Sequence, residues 1–131
     1  MVAAESAKFA DTHAKWGLTP IWGMSQRLPR RVGRGHATRM GLTGATVNAA
    51  QALEIGLVDM CFPDADFDAQ LAALAATILR NSWFTHRANK RLMLETDGMP
   101  LASGLAHEFF RRAGRAPDFE KRIARFAKAA R

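Results

Sequence analysis

From Asp66 onward the apolar residues return every three or four positions, and this periodicity limits the chain's folding more than any other feature. Phe67, Leu71, Leu74 and Ile78 are spaced four, three and four apart, which lines up one face of a helix. Asn81-Ser82 ends that segment and caps the next, read over Trp83 to Glu95, with Arg87, Lys90 and Arg91 on or near one of its faces. Asp97-Gly98-Met99-Pro100 interrupts the pattern. Leu101, Leu105 and Phe109 mark a further helix running to about Arg112. After the turn "AGRAPD", Asp118 is a fitting N-cap for a last helix with Phe119, Ile123, Phe126 and Ala130 on its apolar side.

The first half is less regular. Residues 2–8 read as the end of a strand or a short helix. Pro20 and Gly23 break the chain after Trp16, because proline lacks the amide donor and glycine loses the most backbone entropy. A helix is expected from Met24 to about Val32, where Pro29 is a candidate kink, and a further short one over "GHATRMGL", residues 35–42, ending near Thr43-Gly44. "VNAAQALEIGLV" carries a fuller signal. Asn48 is the N-cap, Gln51 its capping-box partner three residues on, and Gly56 the glycine that closes a helix of about 49–55. "LVDMCF", residues 57–62, is a short β-rich run closed by Pro63-Asp64. The chain is thus expected to be mainly α with one or two short strands.

Composition narrows the function classes. With 131 residues, 48% of them hydrophobic, the chain suits one globular domain or part of a larger one and not a disordered segment. No apolar run approaches the ~20 residues of a membrane span. "MVAAESAKFAD" has no basic start, and Glu5 breaks its apolar run, so it does not read as a signal peptide. The expected location is the cytoplasm. The single cysteine, Cys61, permits no internal disulfide and, among the apolar neighbours of "VDMCFP", is expected to be a buried thiol. His13, His36, His86 and His107 are scattered, with no Cys/His cluster at metal-ligand spacing. A net charge of +7 and a pI near 10.8 invite a polyanion such as nucleic acid, an anionic membrane or a phosphate-bearing small molecule, or serve solubility alone. "RLPRRVGRGHATR" gathers Arg27, Arg30, Arg31, Arg34 and Arg39, either as a phosphate-binding patch or as a solvated, oligomer-facing helix surface. Its scarce aromatics count against single-stranded nucleic acid.

"ESAKFADTHAKWGLTPIWGMSQRLPRRVG" and "LTGATVNAAQALEIGLVDMCFP" carry Phe9, Gly17, Pro20, Gly23, Gln26-Arg27-Leu28, Leu42-Thr43-Gly44, Ala49, Ala52 and Gly56-Leu57-Val58. Their order and spacing resemble the crotonase superfamily, which contains the enoyl-CoA hydratases and isomerases. "NSWFTHRANKRLM" is similar to that family's helix ending in a lysine, and "APDFEKRIARF", more loosely, to its closing segment. The resemblance covers essentially the whole chain but only the second half of the family's usual length. It implies the C-terminal part of an α/β crotonase (ClpP/crotonase-like) spiral fold plus a helical trimerisation region. Residues 1–63 would end the spiral core and residues 64–131 would form the helical oligomerisation region. It further implies a protein of fatty-acid and acyl-CoA metabolism that binds or acts on acyl-CoA thioesters. Such a protein would be a trimer or hexamer and take coenzyme A thioesters as substrate or ligand, with no metal or redox cofactor. In intact members the first half supplies the acyl-CoA cradle, both oxyanion-hole N–H groups and one of two catalytic glutamates. Met1 falls after that region, so a shortened chain, a shortened gene or too late a start codon is expected. Such a chain would lack hydratase activity alone, since losing even one oxyanion donor costs on the order of 10²-fold in rate. The rival readings are a non-catalytic acyl-CoA-binding or oligomerisation module, and a basic nucleic-acid-binding domain supported by charge alone.

The resemblance also bears on "FADTHAKWGL", which sets Asp11, Thr12, His13 and Lys15 between Phe9 and Trp16, two rings expected to be buried. His13 stands where the hydratase pattern has its second catalytic glutamate. Adding water across an α,β-double bond suits two carboxylates facing one water, one ionised and one protonated. A histidine, ordinarily titrating at ~6.5, can act as a base but holds water differently. Asp11, two residues away, is expected to point elsewhere on either a helix or a strand. His13 is therefore read as a pocket-lining residue, as an acid or base, or as a polar residue at a helix start with Thr12 or Asp11 as N-cap. Trp16, Ile21, Trp22 and Gly23 are candidates for the acyl pocket; for the two tryptophans plain core packing is the alternative. Ile21 and Met24 replace family glycines and put bulk near the acyl chain. By resemblance, Phe110 matches an aromatic packed near the adenine of a neighbouring subunit's CoA. Lys128 lies near a lysine that meets CoA phosphate.

Overall fold

The computed structural model describes residues 1–129, which fall into two compact units, Met1–Ala72 and a second from Ala73 on. In the first, β1 (Val2–Ala4) runs parallel to β4 (Met60–Phe62), with Val2 opposite Met60 and Ala4 opposite Phe62. The strand β2 (Lys8–Phe9) pairs antiparallel with β3 (Val47–Asn48). The described residues thus hold four strands, against an expectation of one or two. Each is two or three residues long, too short for an alternating pattern to be visible in the sequence.

The helix α1 (Met24–Thr43) joins the two expected helical segments. Its break falls at Gly33, with φ 77° and ψ 159°, a conformation open essentially to glycine alone, while Pro29 stays inside the first segment. The helix α2 (Ala49–Glu54) has its capping box in full. The Gln51 amide donates to Asn48 Oδ1 at 2.9 Å, and the Asn48 amide donates to Gln51 Oε1 at 3.0 Å. Gly56, with φ 75°, closes it as expected. The amides of Leu57 and Val58 then turn back to the Ala52 carbonyl at 2.8 and 3.1 Å, which is why the strand predicted from Leu57 begins only at Met60. Val47, Ala49, Ala52 and Val58 are the most deeply buried members of the core, joined by Leu28, Val32 and Met40 from α1. Phe9 packs half-buried against this core. Cys61, expected to be buried, is half-buried, because its strand has a neighbour on one side only.

The helix α3 (Phe67–Arg80) begins in the first unit and ends in the second. The helices α4 (Trp83–Glu95), α5 (Leu101–Arg111) and α6 (Phe119–Ala129) come next at the expected positions; Ala130 lies outside the described residues. Ser82 caps α4, its Oγ accepting from the Thr85 amide at 3.4 Å. Glu95 on α4 meets His107 Nε2 on α5 at 2.8 Å, and that bond holds its carboxyl below the ordinary value. Arg91 donates to the Arg111 carbonyl at 2.9 Å. Arg122 donates to Asp118 Oδ2 at 2.7 Å and to the Arg80 carbonyl at 3.1 Å. No described side chain of this unit is buried, and Leu79, Trp83, Met93, Leu94, Phe109 and Phe126 all stand exposed. Among the described residues no helix is long and apolar enough to cross a membrane.

Candidate functional site

After β2 the chain enters the core side of the first unit at Asp11, which is 6% exposed. A 3₁₀ turn, His13–Trp16, comes next. Thr12, its N-cap, makes no side-chain cap bond; Asp11 takes that role instead, its Oδ1 accepting from the His13 amide at 3.2 Å. The same oxygen lies 2.6 Å from His13 Nδ1. The expectation that Asp11 points away from His13 does not hold, because Thr12 is in neither a helical nor an extended conformation. Its φ of −98° and ψ of 3° fold residue 11 over onto residue 13. The bond to His13 holds the Asp11 carboxyl below the 3.8 of a free aspartate, against the opposing effect of burial. His13 Nε2 is buried and has no hydrogen-bond partner. The Trp22 ring packs against the imidazole, centroids 5.9 Å apart and planes tilted by 53°.

The structure therefore brings His13 and Trp22 together. It places Trp16 and Trp22 on the surface, 71% and 77% exposed, so neither is core packing. Trp16 comes after His13 along a turn with no buried residue, which is why the ring expected to be buried is not. Ile21 is exposed beside them. Trp22 is the one non-glycine residue with a positive φ, 55°, among those described, and Gly23 continues in the left-handed region at 78° as the N-cap of α1. At Gly44, with φ 58°, a β-carbon would meet Lys15 Cε at 2.7 Å, so the lysine stem lies directly across the end of α1.

Two cavities flank Asp11. One, of about 450 Å³, is walled by Phe9, Met24, Leu28 and Met40 with Arg27 and Arg31. The other, of about 280 Å³, is bordered by Pro20, Met24, Arg34 and Gly41. His13, Trp16, Ile21, Trp22 and Gly23 line neither; Trp16, Ile21, Trp22 and Gly23 are exposed, and His13 is half-buried beneath Trp22. Arg31 donates to the Leu57 carbonyl at 3.1 Å and to Asp59 at 2.7 Å, so part of the arginine run braces the fold. Phe110, on α5, is 81% exposed and meets Phe109 edge to face at 5.5 Å; Lys128 is exposed on α6. Both belong to the second unit, where Lys121, Arg122 and Arg125 border a cavity of about 470 Å³. Sequence reasoning missed Asp11 as a partner of His13. A signal is present: an aspartate two residues before a histidine, just after a strand, is the pattern of an Asx turn.

Residues 1–128 match the enoyl-CoA hydratase/isomerase family. A probable enoyl-CoA hydratase of Mycobacterium leprae is 37% identical over 108 residues, 82% of this chain and 42% of that protein. The 2,3-dehydroadipyl-CoA hydratase of Escherichia coli is 36% identical over 109 residues, again 82% and 42%. The crystal structure of an enoyl-CoA hydratase from Bacillus anthracis superposes with a TM-score of 0.90 at 28% identity, over 98% of this chain and 50% of that one. The chain spans about half the length of the relatives it matches.

Proposed function

The chain belongs to the enoyl-CoA hydratase/isomerase family, and from that premise we propose that it contributes the second half of a site for acyl-CoA thioesters. The acyl chain lies against Trp16, Ile21, Trp22 and Gly23, with His13 at the reacting carbons. The coenzyme A thioester is substrate or ligand, and the site calls on no metal or redox cofactor. Phe110 meets the adenine of a neighbouring subunit's coenzyme A, and Lys128 a coenzyme A phosphate. Residues 1–63 end the catalytic core and residues 64–131 assemble it into a trimer or hexamer, in the cytoplasm. The observation that carries this reading is the exposed tryptophan face around His13, next to a buried carboxylate at the position where the family's sequence pattern has its active site.

A thermal melt of this chain, monitored by circular dichroism with and without crotonyl-CoA, tests it. A cooperative transition that acyl-CoA raises is expected. Because Ile21 and Met24 add bulk, the rise should fall as the acyl chain lengthens. A melt indifferent to every acyl-CoA overturns the reading. A second reading, an assembly module without turnover, is favoured by the uncovered helices of the second unit. Self-association unaffected by acyl-CoA would single it out.

A further inference from the structure

We propose that Asp11, His13 and Trp22 form a covered imidazole base, with Asp11 as its positioning residue and Trp22 as a displaceable cover. An ionised carboxylate only accepts hydrogen bonds, so the 2.6 Å contact places the ring proton on Nδ1. The second bond of Asp11 Oδ1, to the His13 amide, fixes the carboxylate itself. Nε2 is then left with a lone pair, and it is this atom that is buried without a partner. An unpartnered acceptor next to a fixed carboxylate is poised to take one proton.

The cover is Trp22. Its ring meets the imidazole obliquely, at 5.9 Å and a tilt of 53°, while its own surface is mostly in solvent, so little packing holds it there. Its backbone sits at φ 55°, costly for a bulky residue, between Ile21 and the left-handed Gly23. A ring on a strained backbone and mostly open to solvent can swing away at small cost. The substrate class rests on the acyl-CoA function proposed for this site. The Nε2 lone pair takes a proton from the carbon next to a thioester carbonyl. The C–H electron pair moves into the enolate, and the imidazolium returns the proton to carbon or exchanges it with water. His13 offers one unpartnered nitrogen, since the other is committed to Asp11. It therefore serves single proton transfers where a carboxylate would hold a water between two oxygens.

Nitrogen-15 spectra of the histidine rings, combined with carbethoxylation by diethyl pyrocarbonate, test the proposal. In the unaltered chain the neutral His13 ring should carry its proton on Nδ1. In Asp11→Asn the amide can donate to Nδ1, and the ring proton should move to Nε2, a signature that loss of packing alone would not give. Trp22→Gly removes an exposed ring at a positive φ and should leave the fold intact. It should raise the carbethoxylation rate of His13 roughly tenfold, as a nitrogen open in few molecules becomes open in most, with the exposed His36 as the unchanged reference. Crotonyl-CoA should then protect His13 and not His36. A ring proton on Nε2 in the unaltered chain, or a His13 rate indifferent to Trp22, overturns the proposal. So does a melt raised by acyl-CoA without protection of His13, which keeps the acyl-CoA reading. The absence of both protection and a raised melt overturns that reading, and with it the substrate assigned to the base.

Discussion

Asp11 shows how much one side chain can carry. It caps a turn, orients an imidazole and borders two cavities, all while buried. Its lowered folded-state pKa gives the sign of its contribution. The stability it adds is fully present above the unfolded value near 3.8 and is lost as pH falls through the lower folded value. Asp11→Asn should therefore cost about 1–2 kcal/mol at about pH 6, and the gap between the two chains should shrink by about pH 3. Paired melts at the two pH values check this; Asp59 and Glu95, also lowered, are shared by both chains and cancel. At this scale the sequence points to His13, and its partner is written only as the short Asx-turn pattern of Asp11. The contact depends on the φ and ψ of Thr12, a residue with no strong preference of its own.

At the scale of elements, legibility tracks chemistry that repeats or pairs at fixed spacing. The α2 capping box, the Gly56 turn and the helices α3 to α6 are written in patterns that one or two turns of chain can display. The paired strands β1 and β2 are not, because their partners lie dozens of residues away and each strand is too short to show a period. Pro29 is the kink candidate of α1 in the sequence, yet Gly33 carries the break, where φ 77° with ψ 159° ends the helical path outright. The reciprocal bonds of Asn48 and Gln51 give a test here. Asn48→Ala should destabilise the chain by about 1 kcal/mol, read as a lower midpoint of urea unfolding with an unchanged slope.

On the scale of the whole molecule, the two units are built differently. The first has a core whose centre is at most 1% exposed at Val47, Ala49, Ala52 and Val58. The second carries strongly amphipathic helices and buries no described side chain. The helices can be read from the sequence, but what covers them cannot, since periodicity tells which face is apolar and not what lies against it. Exposed apolar surface of this extent is expected to find a partner. Sedimentation velocity should show concentration-dependent self-association that Phe109→Asp or Phe126→Asp weakens; a monomer at all concentrations would contradict it.

The lack of buried side chains in the second unit also shapes how the chain comes apart. Backbone amides of α2 and β3 can exchange with solvent only when the packed core opens. Those of α4, α5 and α6 lie under no buried core and open turn by turn. The protein therefore has a gradient of stability along its length instead of a single value, and whatever covers the later helices sets how long they survive a protease.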